Sequence, residues 1–121
     1  MKWSLFVTAL ASSGATILAM AGLQMTNIRS TVKLENAKVT VREMIYDPGV
    51  PRNRSVRPTD EIIVFMDDCR YRRIDSQTHQ VTVRERKSGD VIWHNKGEDA
   101  PVLVNLGSKP YRTVLIELKQ P

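Results

Sequence analysis

At 121 residues with a formal net charge of +5, the sequence has room for one compact domain at most. Lysines and arginines are mixed among aspartates and glutamates, an ordinary solvated surface that argues against a nucleic-acid partner. The single Cys69 excludes an internal disulfide; it is read as a buried thiol, with an intermolecular bridge as the alternative.

The chain opens on a basic Met1-Lys2, and residues from Leu5 to Leu23 carry no charge. Ala19-Met20-Ala21 sets small residues at the two positions a signal peptidase reads. The expectation is therefore a secretory signal peptide over residues 1–21, cleaved after Ala21, and a periplasmic or extracellular mature protein. The alternative is an uncleaved anchor over residues 5–23, because that run approaches the ~18–20 residues that span a bilayer. Ser12, Ser13, Gly14 and Thr16 make it a mediocre span, and it is the only route by which the chain would meet a membrane.

Residues 22–37 read as a leader, and residues 38–119 as one all-β domain. In chain order the expected strands are KVTVREMIY (38–46), EIIVFM (61–66), CRYRRI (69–74), HQVTVRER (79–86), DVIWH (90–94), PVLVNL (101–106) and YRTVLIEL (111–118). Turn residues separate them, among them Asp47-Pro48-Gly49, Asp75-Ser76-Gln77, Ser88-Gly89 and Ser108-Lys109-Pro110. Strands about ten residues apart indicate a sandwich or barrel. In the first run the apolar parity shifts from Val39 and Val41 to Met44 and Tyr46, which predicts a β-bulge near Arg42-Glu43. In the fourth, Val81 and Val83 share the face expected to be buried, with Gln80, Thr82 and Arg84 opposite. The last run is apolar on both faces at Val114, Leu115 and Ile116, as a central strand is.

The stretch GDVIWHNKGEDAPVLVN, from Gly89 to Asn105, resembles the second motif of the cupin superfamily, with Gly89 opening it and Asn105 closing it. Val41–Val50 resembles the strand and Pro-Gly before the first motif, and Val114–Lys119 the last strand of small single-domain cupins. The resemblance covers about residues 38–119 and implies a jelly-roll barrel, the double-stranded β-helix. In metal-binding cupins, two histidines and a glutamate come from the first motif and one more histidine from the second, a donor set suited to a divalent first-row metal. Here Val56 and Pro58 stand where the paired histidines would fall, and Pro101 stands where the second-motif histidine would. The expectation is a cupin without that metal and without another cofactor.

Four residues are candidates for ligand binding: Arg54 and Arg57, in the segment where the family carries metal ligands, and Trp93 and His94 in the second motif. Forked guanidinium groups at the barrel mouth would take a carboxylate or phosphate. The bland alternative is a solvated outer face on which the arginines pair with Glu85, Asp67 and Asp68. For His94 the alternatives are a strand-end histidine bonded to a loop, and a displaced ligand or base oriented by Glu98 or Asp99. His79 reads as a surface residue of a hairpin. The expected role is non-enzymatic: a module that binds a small anionic ligand or a second copy of itself, since cupins often dimerise. The alternatives are a divergent cupin enzyme of isomerase, epimerase or dioxygenase type, and a cupredoxin, which would need a cysteine closely followed by a histidine near the C-terminus.

Overall fold

The computed structural model describes residues 28–120. The expected signal peptide or anchor and the cleavage point lie outside the described residues. The strands are β1 (Arg29–Glu35), β2 (Val39–Tyr46), β3 (Pro51–Arg52), β4 (Ser55–Val56), β5 (Asp60–Phe65), β6 (Cys69–Ile74), β7 (Val81–Arg86), β8 (Val91–His94), β9 (Asp99–Ala100), β10 (Val102–Asn105) and β11 (Tyr111–Leu118). They form a five-stranded sheet in the order β1-β2-β11-β5-β8 and a four-stranded sheet in the order β3-β10-β6-β7. A short ribbon pairs β4 with β9. The named strand pairs are all antiparallel.

The inner faces of the two large sheets meet over a core of Ile28, Tyr46, Phe65, Tyr71, Leu103 and Tyr111. Tyr46 and Tyr111 stack at 4.7 Å between ring centres, and Phe65 and Tyr71 flank Tyr111 at 6.4 and 6.3 Å. Such offset aromatic pairs add about 0.5–1.5 kcal/mol beyond the area they bury. The β11 strand is central, paired to β2 on one side and β5 on the other, as its two apolar faces require.

Turn chemistry sets the connections. In Asp47-Pro48-Gly49-Val50, the Val50 N–H donates to the Asp47 carbonyl at 3.2 Å while Gly49 takes φ 74°. Proline followed by a left-handed glycine is the type II pattern. The 95–98 turn is built the same way around Gly97, with φ 88°.

Three expectations fail here. First, the leader read over residues 22–37 contains β1, which pairs with β2 as an edge strand. Every residue of β1 is exposed, so burial leaves little imprint on its sequence. Second, β2 is regular along its pairing with β11, without the bulge expected at Arg42-Glu43. The register shift lies on the neighbouring strand, between Val32 and Leu34. The parity change in β2 arises because its inner face turns polar at one end, where Thr40 is buried and Arg42 pairs with Glu117 at 2.9 Å. Third, Val81 and Val83 point outward and are 54% and 46% exposed. Arg84 pairs with the buried Tyr71 across β6 and shares its inward face, as does Arg86 through its register with Cys69.

The outer face of the five-stranded sheet carries an apolar row, with Glu43 and Arg112 elsewhere on the same face. Leu34, Val41, Ile116, Ile62 and Trp93 are successive cross-strand partners and form one row over all five strands.

Candidate functional site

The space between the sheets holds a cavity of about 90 Å³. Its walls include the aromatic core residues Tyr46, Phe65, Tyr71 and Tyr111 together with five arginines: Arg52, Arg57, Arg73, Arg84 and Arg86. Strand pairing explains the convergence. Arg73 and Leu103 are cross-strand partners, as are Leu103 and Arg52, so these residues share the inward side of the four-stranded sheet. Arg84 and Arg86 reach it from β7.

One of the five arginines is neutralised. Arg57 Nη1 donates to Glu61 Oε1 at 2.8 Å, and both side chains are almost fully buried. Among the described residues, no ion pair engages Arg52, Arg73, Arg84 or Arg86. Arg86 Nε donates to the Tyr71 hydroxyl at 3.2 Å and its guanidinium lies 5.6 Å from the Phe65 ring centre, a cation–π placement. Arg52 Nη2 donates to the Pro101 carbonyl at 2.6 Å. The Nε atoms of Arg52 and Arg57 are buried without an acceptor; a buried donor left in that state costs about 1–3 kcal/mol. Burial also pushes the Tyr111 hydroxyl far above its usual range, so that hydroxyl contributes no negative charge.

The candidates read from sequence divide. Arg57 and His94 line the cavity. Arg54 does not: it is exposed, its Nε donating to Asp99 Oδ1 at 2.6 Å. Trp93 is 50% exposed on the outer face, as the residue next to an inward-facing His94 must be. His94 Nδ1 lies 3.0 Å from Glu98 Oε1. The backbone N–H of Asn95 and the His94 ring hold the Glu98 carboxyl at about 2, well below its usual 4.5. His79 is on the surface at the β6–β7 turn, with φ 62°.

Arg73, Arg84 and Arg86 were not singled out from sequence as ligand contacts. Their signal was the shared parity of Arg84 and Arg86, hidden by the expectation that the valine face of β7 is the buried one.

The metal that most members of the resembling family hold does not fit this lumen. Pro101 is buried and lines the cavity, offering no lone pair of an imidazole kind. Val56, at another expected ligand position, is 52% exposed. Glu61, beside the cavity, is held by Arg57, and the guanidinium groups that wall the cavity repel a cation. Among the described residues, no group of three or more His, Cys, Asp or Glu side chains is placed to hold a metal ion.

No protein-family model matches the chain, and no curated protein matches it. Solved structures do. A cupin-domain protein from Bordetella pertussis Tohama I superposes with a TM-score of 0.70 at 19% identity, over 82% of this chain and 100% of that one. A double-stranded β-helix protein from Klebsiella pneumoniae superposes at 0.58 with 18% identity, covering 81% of this chain and 90% of that one. A polyketide cyclase from Streptomyces resistomycificus reaches 0.64 at 10% identity, over 81% of this chain and 71% of that one. With its two facing antiparallel sheets and this likeness, the chain has the cupin fold, a double-stranded β-helix.

Proposed function

We propose that this protein is an exported, metal-independent binder of a small anion, held between the sheets by guanidinium groups. The supporting observation is one cavity walled by Arg52, Arg57, Arg73, Arg84 and Arg86, of which Arg57 alone is paired to a carboxylate, that of Glu61. Charge-assisted bonds from a guanidinium fork to carboxylate or phosphate oxygens are about twice as strong as neutral ones. The low dielectric of a half-closed lumen strengthens them further.

The test is titration calorimetry of the purified protein with phosphate and with acetate, against chloride at the same ionic strength. Phosphate or acetate should bind measurably and chloride should not. The Arg84→Ala/Arg86→Ala double variant should weaken binding at least tenfold. Equal behaviour of all three anions overturns the reading, as does near-stoichiometric bound metal that is lost in His94→Ala. Export is checked by the N-terminus of the protein recovered from the producing cell, which should begin at Gly22.

A second reading, an enzyme of isomerase or epimerase type, draws on the 3.0 Å contact between His94 and Glu98 at the cavity wall. A carboxylate-oriented imidazole can move a proton. Turnover lost in His94→Ala with anion binding retained would favour it.

The apolar row on the outer sheet face supports a homodimer, its occupant being the same face of a second copy. The five strands cover about 500 Å² in projection at about 4.8 Å between strands and about 3.3 Å per residue. Two such faces bury about 1,000 Å², the lower bound of a specific interface.

A further inference from the structure

A second compartment of about 600 Å³ adjoins the guanidinium cavity, and the two share Tyr46, Arg52, Arg57, Ile63 and Thr113 in their walls. The second compartment has a different character. Met44 and Leu115 line it from the inner face of the five-stranded sheet and Pro58 from the segment that crosses it. Its charged lining is largely paired off: Arg57 with Glu61, Arg54 with Asp99 and Glu117 with Arg42.

Charge is therefore uncompensated on one side of the shared wall and compensated on the other. Two of the buried Nε–H donors without an acceptor, those of Arg52 and Arg57, belong to residues that line both compartments. An inorganic ion would meet the guanidinium side alone. A volume of about 600 Å³ lies within the ~300–1,000 Å³ of small-molecule sites, which are mostly apolar with a few placed polar groups.

Resting on the anion-binding reading, we infer that the ligand is an amphipathic organic anion. Its single acidic head lies among Arg52, Arg73, Arg84 and Arg86, and its apolar body extends past Ile63 over Met44 and Leu115. Each methylene transferred from water to that floor tightens binding by about fourfold.

The experiment is a calorimetric series on the purified protein with acetate, butyrate, hexanoate and octanoate, with phosphate and hexylamine as references. The expected result is a gain of about fourfold per methylene, phosphate bound no tighter than hexanoate, and hexylamine unbound. Leu115→Asn should flatten the chain-length gain; if that variant does not fold, the native series decides alone. Affinity independent of chain length, with acetate and phosphate still bound in an Arg84- and Arg86-dependent way, overturns the inference and leaves anion binding standing. No binding of any carboxylate or of phosphate overturns the anion-binding reading itself. Hexylamine bound as well as hexanoate overturns both.

Discussion

Arg57 and Glu61 are joined at 2.8 Å with side chains only 9% and 4% exposed, where the chain enters β5. The same arginine is tied through its backbone to the opposite loop: its N–H donates to the Glu98 carbonyl and its carbonyl accepts from Gly97 N–H, each at 2.9 Å. One buried ion pair therefore sits where the 53–58 segment is laced to the 95–100 segment. Removing one partner strands a charge out of water, which costs about 3–5 kcal/mol, whereas replacing both by apolar groups of like volume is often close to neutral. Glu61→Gln and Arg57→Met should each lower unfolding free energy by about 3 kcal/mol or more. The Arg57→Met/Glu61→Leu double variant should lose less than the sum of its parts. Chemical denaturation of the four proteins measures the coupling, and additive losses would show that the pair does not act as a unit.

The acid limb of stability follows from the carboxylates. Glu98 is held at about 2 by the Asn95 N–H and the His94 ring, and Asp67, Asp75, Asp99 and Glu35 are all displaced downward by donors around them. For Asp67 the main cause is the Arg112 side chain, at 3.0 Å. A carboxyl whose folded pKa lies below its unfolded one contributes stability that is full above the unfolded value and is lost as pH falls through the folded one. For Glu98 that window runs from its usual 4.5 down to about 2. The melting temperature should fall across this range, and Glu98→Gln should fall less steeply than the native chain. Parallel slopes would show that Glu98 makes no pH-dependent contribution.

How far the sequence foretold this molecule depends on what each strand touches. Strands with a neighbour on both sides, such as β5 and β11, were legible because burial on the inside imposes apolar residues and pairing on both edges imposes β-formers. The closing Asn105 was legible from its place in the motif, and it proves to be 3% exposed. The edge strand β1 was not, since it buries nothing and its register shift takes Val32 and Leu34 to opposite faces. The lumen failed for a related reason. Alternation in β7 separates two faces but does not say which one is inside. The rule that the apolar face goes inward assumes an apolar lumen, and here arginines face the interior while Val81 and Val83 face out. His94 and Arg57, which line the cavity, were named from sequence because a motif drew attention to their segments. Arg73, Arg84 and Arg86 needed the pairing of β6 with β7, which no single strand encodes.

Asn105 carries the corner that leads into β11. Its Nδ2 donates to the carbonyls of Tyr46 and Lys109, both at 2.9 Å, and its Oδ1 accepts from Gly107 N–H at 2.7 Å. Each bond contributes about 0.5–1.5 kcal/mol, and the buried Tyr46 carbonyl would lose a partner. Asn105→Ala should cost about 2–4 kcal/mol, and Asn105→Asp a similar amount because a carboxylate cannot donate to either carbonyl. Gly107→Ala should be milder, its added Cβ meeting Asn105 Oδ1 at 3.2 Å. Denaturant midpoints rank the three, and a neutral Asn105→Ala would refute the corner's role.

Cys69 tests the closed state of the same barrel. Its thiol is half-buried beside the aromatic core, and burial pushes its pKa up to about 11 from 9.0. Two units leave about a hundredfold less thiolate at neutral pH than an ordinary cysteine carries, and the thiolate is the reacting form. Alkylation by iodoacetamide at pH 8 should therefore run about tenfold slower or more in the folded protein than in denaturant, the higher nucleophilicity of a high-pKa thiolate offsetting part of its scarcity. Octanoate held in the lumen should slow it further by suppressing the openings that expose the thiol. Mass spectrometry of timed samples gives the rates. A folded-state rate equal to the unfolded one would mean that β6 does not hold Cys69 against the core.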